Sequence, residues 1–199
     1  MRNGEVADST KGYKLVAPES VDAYTKSSPG TTPGAKEAKD LGVDNAQTVS
    51  GVYNASGTDP AKVGGTRLTF YGYYGEIADP AKALDAYLAT AADKGLKGSG
   101  KTPGIDIKPS GNATTMKPAG LEGALMKCQD MQVTRSKVDG APNDGADFRF
   151  AVCAWSDYST LGGADVVGLA QMKTGGNGAS RDEVAALTVK LYDTARQKA

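Results

Sequence analysis

The strongest constraint on this chain's fold is the placement of its two cysteines. Cys128 ends the apolar run Leu121-Glu122-Gly123-Ala124-Leu125-Met126-Lys127-Cys128, and Cys153 lies in Phe148-Arg149-Phe150-Ala151-Val152-Cys153-Ala154-Trp155. Both runs read as strands, rich in apolar and aromatic residues. The stretch 136–145 between them carries two Asp-Gly dipeptides and Pro142, which are strong turn formers. A hairpin centred on Gly140 and Ala141 sets Cys128 opposite Cys153 and Met126 opposite Trp155, a favourable sulfur–aromatic pair. The register predicts a disulfide. Two reduced core thiols are the competing reading, and a metal is third, because the chain has no histidine and only these two thiols.

Around that hairpin the pattern is mixed. Gly12–Ala17, 46–55 and 66–77 read as strands. The last has large residues on both alternating sets, which predicts a central strand covered on both faces. One helix is expected from Asp79 as N-cap and Pro80 at its first position, with Leu84, Tyr87, Leu88 and Ala91 as its buried stripe and Gly95 as its stop. A second opens with the capping box Ser180-Arg181-Asp182-Glu183 and buries Val184, Leu187, Leu191 and Ala195. A short helix over 35–41 ends at Gly42. One or two helical turns are expected over 19–26, a loop over 27–34, a further strand over 165–169 and a flexible connector over 174–178. Residues 96–119 and 136–147 read as Gly-rich loops, and 1–11 as a frayed end. The class is α+β: an antiparallel sheet with two main helices packed on it, a single domain over 12–199. A weak internal duplication relates 46–94 to 121–198, with Trp155 and Asp157 in the places of Tyr74 and Glu76.

Composition narrows the chemistry. Lys plus Arg and Asp plus Glu are 23 each, so no net field gathers phosphates, and nucleic acid is not expected as a partner. The absence of histidine removes the commonest general base and metal ligand, and with them the Ser-His-Asp and Cys-His triads. Gly95–Thr102 fits the spacing G-x-x-x-x-G-K-T, but a helix precedes it where a phosphate loop needs a strand. Asn54-Ala55-Ser56 and Asn112-Ala113-Thr114 match glycosylation sequons. No cofactor and no metal is expected. The remaining candidates are an aromatic and acidic set for binding: Tyr71, Tyr73, Tyr74, Glu76, Trp155, Asp157 and Tyr158. Within it Glu76 and Asp157 are the one pair of carboxylates that a hydrolase could use.

Several segments resemble uncharacterised extracytoplasmic domains of actinobacterial membrane-anchored or lipoprotein-type proteins. They are Tyr13–Pro18, Leu41–Ala46, Gly75–Pro80, Gly120–Cys128 and Cys153–Gly162, the cysteine-bearing pair being the most specific. The resemblance implies display outside the membrane behind an N-terminal anchor and a low-complexity linker, and it brings no catalytic residues. No window is long and apolar enough to span a bilayer, so contact with a membrane would come only through an anchor preceding Met1. The expectation is a non-enzymatic secreted or envelope domain that binds a partner protein or a small ligand. A carboxylate hydrolase and a structural spacer are the alternatives.

Overall fold

A computed structural model describes residues 6–30, 34–55, 65–97, 103–137 and 145–199. The strands are β1 (Tyr13–Leu15), β2 (Ser20–Val21), β3 (Tyr24–Ser28), β4 (Val43–Ala55), β5 (Thr66–Ile77), β6 (Ile105–Met116), β7 (Leu125–Arg135), β8 (Phe148–Ser156), β9 (Thr160–Gly168), β10 (Gly176–Asn177) and β11 (Arg196–Lys198). The helices are α1 (Ala35–Asp40), α2 (Pro80–Lys97), α3 (Leu169–Thr174) and α4 (Arg181–Ala195). The main sheet runs β2-β3-β4-β5-β9-β8-β7-β6, antiparallel throughout, with β10 added parallel to β8. The α+β class with an antiparallel sheet is as the sequence indicates.

Alternation along the strands builds two cores. On one face Leu68, Phe70, Cys128, Cys153, Trp155 and Ala164 pack with Val184, Val189, Leu191 and Tyr192 of α4. On the other, Tyr73, Leu161, Val152, Phe150 and Met131 pack with Leu84, Tyr87 and Leu88 of α2 and with Leu41 after α1. Strands buried on both faces lose the apolar–polar alternation of a half-exposed sheet, and β8 is buried at every position but Arg149. The two main helices therefore sandwich the sheet from opposite sides.

The cysteine register holds. Cys128 pairs with Cys153 and Met126 with Trp155 across β7 and β8, and the disulfide is formed. Both helix starts are as read. Asp79 Oδ1 accepts from the Lys82 N–H at 3.1 Å; Ser180 Oγ accepts from the Glu183 N–H at 3.3 Å while Glu183 accepts from the Ser180 N–H at 2.7 Å.

Several expectations need correction: the strand expected over 165–169 begins at Thr160 as β9, and the connector over 174–178 contains the short strand β10 paired with β8. Residues 19–26 form no helical turns; they make the β2–β3 hairpin, because Asp22 takes a left-handed φ of 53° between extended Val21 and Tyr24. Residues 105–116 are not loop but the edge strand β6, where Pro109 is tolerated because an edge leaves its missing N–H without a ladder partner to serve. Helix α2 runs past Gly95 to Lys97. The N-terminal stretch is ordered from residue 6, with Val6 and Thr10 buried and a 3-10 turn over Asp8–Thr10. Residues 1–5, most of the 136–147 loop and the latter part of the Gly95–Thr102 motif lie outside the described residues.

The sheet order also revises the duplication. Each side of the sheet centre carries a four-strand meander, β2–β5 and β6–β9, meeting at β5 and β9. The counterpart of β5 is thus β9, not the Trp155-bearing β8. At that seam Gly162 and Gly163 are required by close approach: a methyl on Gly162 would lie 2.5 Å from the Trp155 ring, and one on Gly163 would lie 2.7 Å from the Tyr87 ring on the opposite face.

Candidate functional site

The seven aromatic and acidic candidates do not converge. Tyr71 and Tyr73 face α1 and α2, whereas Tyr74 and Trp155 belong to the core under α4. Trp155 and Tyr73 are fully buried, Trp155 stacked on Phe70 with centroids 6.0 Å apart and edge-on to Tyr192 at 5.8 Å. Trp155 Nε1 donates to Thr160 Oγ1 at 3.1 Å.

Asp157 organises the β8–β9 turn. Its carboxylate accepts from the Ser159 N–H (2.8 Å), the Thr160 N–H (2.7 Å) and the Thr160 hydroxyl (2.8 Å). Arg196 Nε stands 3.2 Å from its other side. The arginine is itself sandwiched between the rings of Tyr13 and Tyr192, 4.1 and 4.0 Å from their centroids. Burial pushes the Asp157 pKa up, and the turn N–H groups, Arg196 and Thr160 pull it back. With no exposed surface, this carboxylate meets no substrate in this conformation. Its role here is to hold the C-terminal segment.

Glu76 is exposed and lines an open dent of about 500 Å³ with Lys39, Val43, Asp44, Asn45 and Ala46. Asn45 donates to Glu76 at 3.3 Å. Tyr158 lies at the same end of the sheet with the Lys11 ammonium 5.0 Å above its ring. Among the described residues no group of three His, Cys, Asp or Glu side chains could hold a metal.

A different set does converge, on the face between α1 and α2. Helix α1 packs on β4, while α2 packs on β6, β7, β8 and one part of β9. Between the two helices, β5 and β9 present Thr69, Tyr71, Asp165 and Val167, all only partly buried. Asp165 sits in register with Thr69 on one side and Val152 on the other. Tyr87 of α2 reaches across Gly163, and its hydroxyl donates to the Tyr71 carbonyl at 3.2 Å. Tyr73 meets Tyr87 edge-on at 6.3 Å, and the Glu37 carboxylate of α1 adds to the upward shift of its pKa.

Asp165 is the unusual member. No described residue hydrogen-bonds it or forms an ion pair with it. Burial pushes its pKa up to about 7, against the pull of the Arg67 charge. Burial is also the main cause that raises Tyr71, Tyr73 and Tyr87, and Asp165 adds to the shift of Tyr71 and Tyr87. A partly enclosed carboxylate without a partner, poised near neutrality beside tyrosines, is the kind of group that a site employs. The sequence singles out Tyr71 and Tyr73 here but misses Asp165, Tyr87 and Glu37. A lone aspartate inside an apolar strand, Ala164-Asp165-Val166-Val167, is the signal that could have found it.

No protein-family model, curated protein or solved structure matches this chain.

Proposed function

We propose that the chain is the binding domain of a secreted or envelope-anchored protein, working outside the cytoplasmic membrane, and that it takes a small ligand in the crevice between α1 and α2. The observation that carries the reading is Asp165, a partly buried carboxylate without a hydrogen-bond or ion-pair partner among the described residues, beside Tyr71 and Thr69. Burying such a group unpaired costs free energy, and a ligand that meets it recovers that cost. A small ligand is favoured over a protein partner because Val16 is the one large apolar side chain exposed among the described residues, whereas protein interfaces centre on apolar and aromatic anchors. The location is supported by the disulfide, since such bonds persist mainly in oxidising compartments. No helix among the described residues is long and apolar enough to cross a membrane.

Two measurements test the reading. Thr69→Trp should fill the crevice, with Tyr71→Ala as a second variant should the first fold poorly. Compounds that raise the melting temperature of the wild type should lose that effect in the variants. Equal stabilisation of all three proteins would place the site elsewhere, and a broad small-molecule screen without a hit would remove it. For the location, protein taken from its native cells and unfolded without reductant should show no free thiol. Two free thiols would withdraw the support.

A further inference from the structure

The geometry points to a ligand class for this crevice: a small organic cation, an alkylated ammonium, seated against the Asp165 carboxylate and the Tyr71 ring. The inference rests on the reading of the crevice as a ligand site. Four features select a cation. Among the described residues the carboxylate on the floor forms no ion pair, and the Arg67 charge acts on it without contact. The Tyr71 ring beside it is only partly buried, and an aromatic face attracts an ammonium through its quadrupole. The other acid near these tyrosines, Glu37, adds negative rather than positive potential. A hard metal ion is a poor fit, because calcium or magnesium demands several oxygen ligands and the described residues offer no such group.

The charged and titratable groups around Asp165 bear on the pH dependence. Strand β5 contributes Arg67, Tyr71 and Tyr73, α2 contributes Tyr87 and α1 contributes Glu37. Strand β8 presents the apolar Val152 and Phe150 on this face. Arg67 is exposed and makes no ion pair with Asp165, so it perturbs the carboxylate without occupying its place. The tyrosines stay protonated through the neutral range because their shifts are upward. Of Asp165 and the three tyrosines around it, Asp165 is the one that changes charge near pH 7. A cation binds its ionised form, so binding expels a proton and strengthens as the pH rises.

The test uses choline as probe and its uncharged isostere 3,3-dimethyl-1-butanol as control, followed by the amide and tyrosine NMR signals of the full chain. Choline should shift the signals of Thr69, Tyr71 and Asp165, with apparent affinity falling about tenfold from about pH 8 to about pH 6. Calorimetry in two buffers of different ionisation enthalpy should show proton release. Asp165→Asn should abolish both the pH dependence and the release while retaining the fold, checked by the unchanged signals of the α4 face. Stronger or equal binding of the isostere, insensitive to pH, would overturn the cation assignment and leave the crevice a binding site for neutral molecules. Shifts confined to the dent around Glu76, or no shift at millimolar choline, would also overturn it. Those results would leave the crevice-filling variants to decide on the reading beneath.

Discussion

Arg196 shows how much a single side chain can organise. Its guanidinium lies between two tyrosine rings and against a carboxylate without exposed surface, so its charge is answered on three sides. Removing it leaves Asp157 buried with one charged partner fewer, and breaking a buried pair in that way costs about 3–5 kcal/mol. Arg196→Ala should therefore lower the unfolding free energy by about 3 kcal/mol in urea titrations. Lysine should recover only part, since a point charge cannot stack on both rings. Asp165 works in the opposite sense. Its pKa rises from 3.8 to about 7 on folding, so between those values the native state holds a proton that the unfolded chain releases. Native stability must then fall as the pH climbs from about 4 to about 7. Asp165→Asn should flatten that slope, and the remainder should come from Asp157 and Asp193, whose pKa values also move up. Denaturant midpoints measured across this range, wild type against variant, are the check.

Elements repeat the lesson that local signals and tertiary demands are legible to different degrees. The β7–β8 hairpin was readable because turn residues and cysteines fix its register together. The starts of α2 and α4 were readable because capping is a local hydrogen-bond problem. Strand β9 was mostly missed, since Leu161-Gly162-Gly163-Ala164 has poor strand propensity on its own. Those glycines answer to Trp155 and Tyr87 from the two faces of the sheet, a requirement invisible to a linear reading. Gly163→Ala should thus cost about 1–3 kcal/mol by overpacking, and Tyr87→Leu should relieve part of the cost in a double-mutant cycle. The candidate site suffered likewise: Tyr71 and Tyr73 stood out as aromatics, but the neighbours that define their environment come from β9, α1 and α2. The disulfide links residues 25 apart, a loop whose closure is worth about 3.5 kcal/mol on the chain-entropy model. Replacing both cysteines by serine should lose about that much in unfolding experiments.

At the scale of the whole molecule, one sheet with a helix on each face gives two cores separated by its backbone. Cys128 and Cys153 lie wholly inside the α4 core. Added reductant should therefore cleave the bond only as fast as that core opens, which thiol trapping over time would show. The pairing of β1 with β11 brings the chain's extremities together, Tyr13 opposite Lys198 and the Ala199 N–H on the Gly12 carbonyl at 2.9 Å. Force applied through Gly12 and Ala199 would enter at the same side of this ladder and open it rung by rung, like a zip, instead of shearing every rung at once. A copy tethered at those two residues and stretched in an optical trap should yield first at this junction, at low load, before the broad sheet gives way.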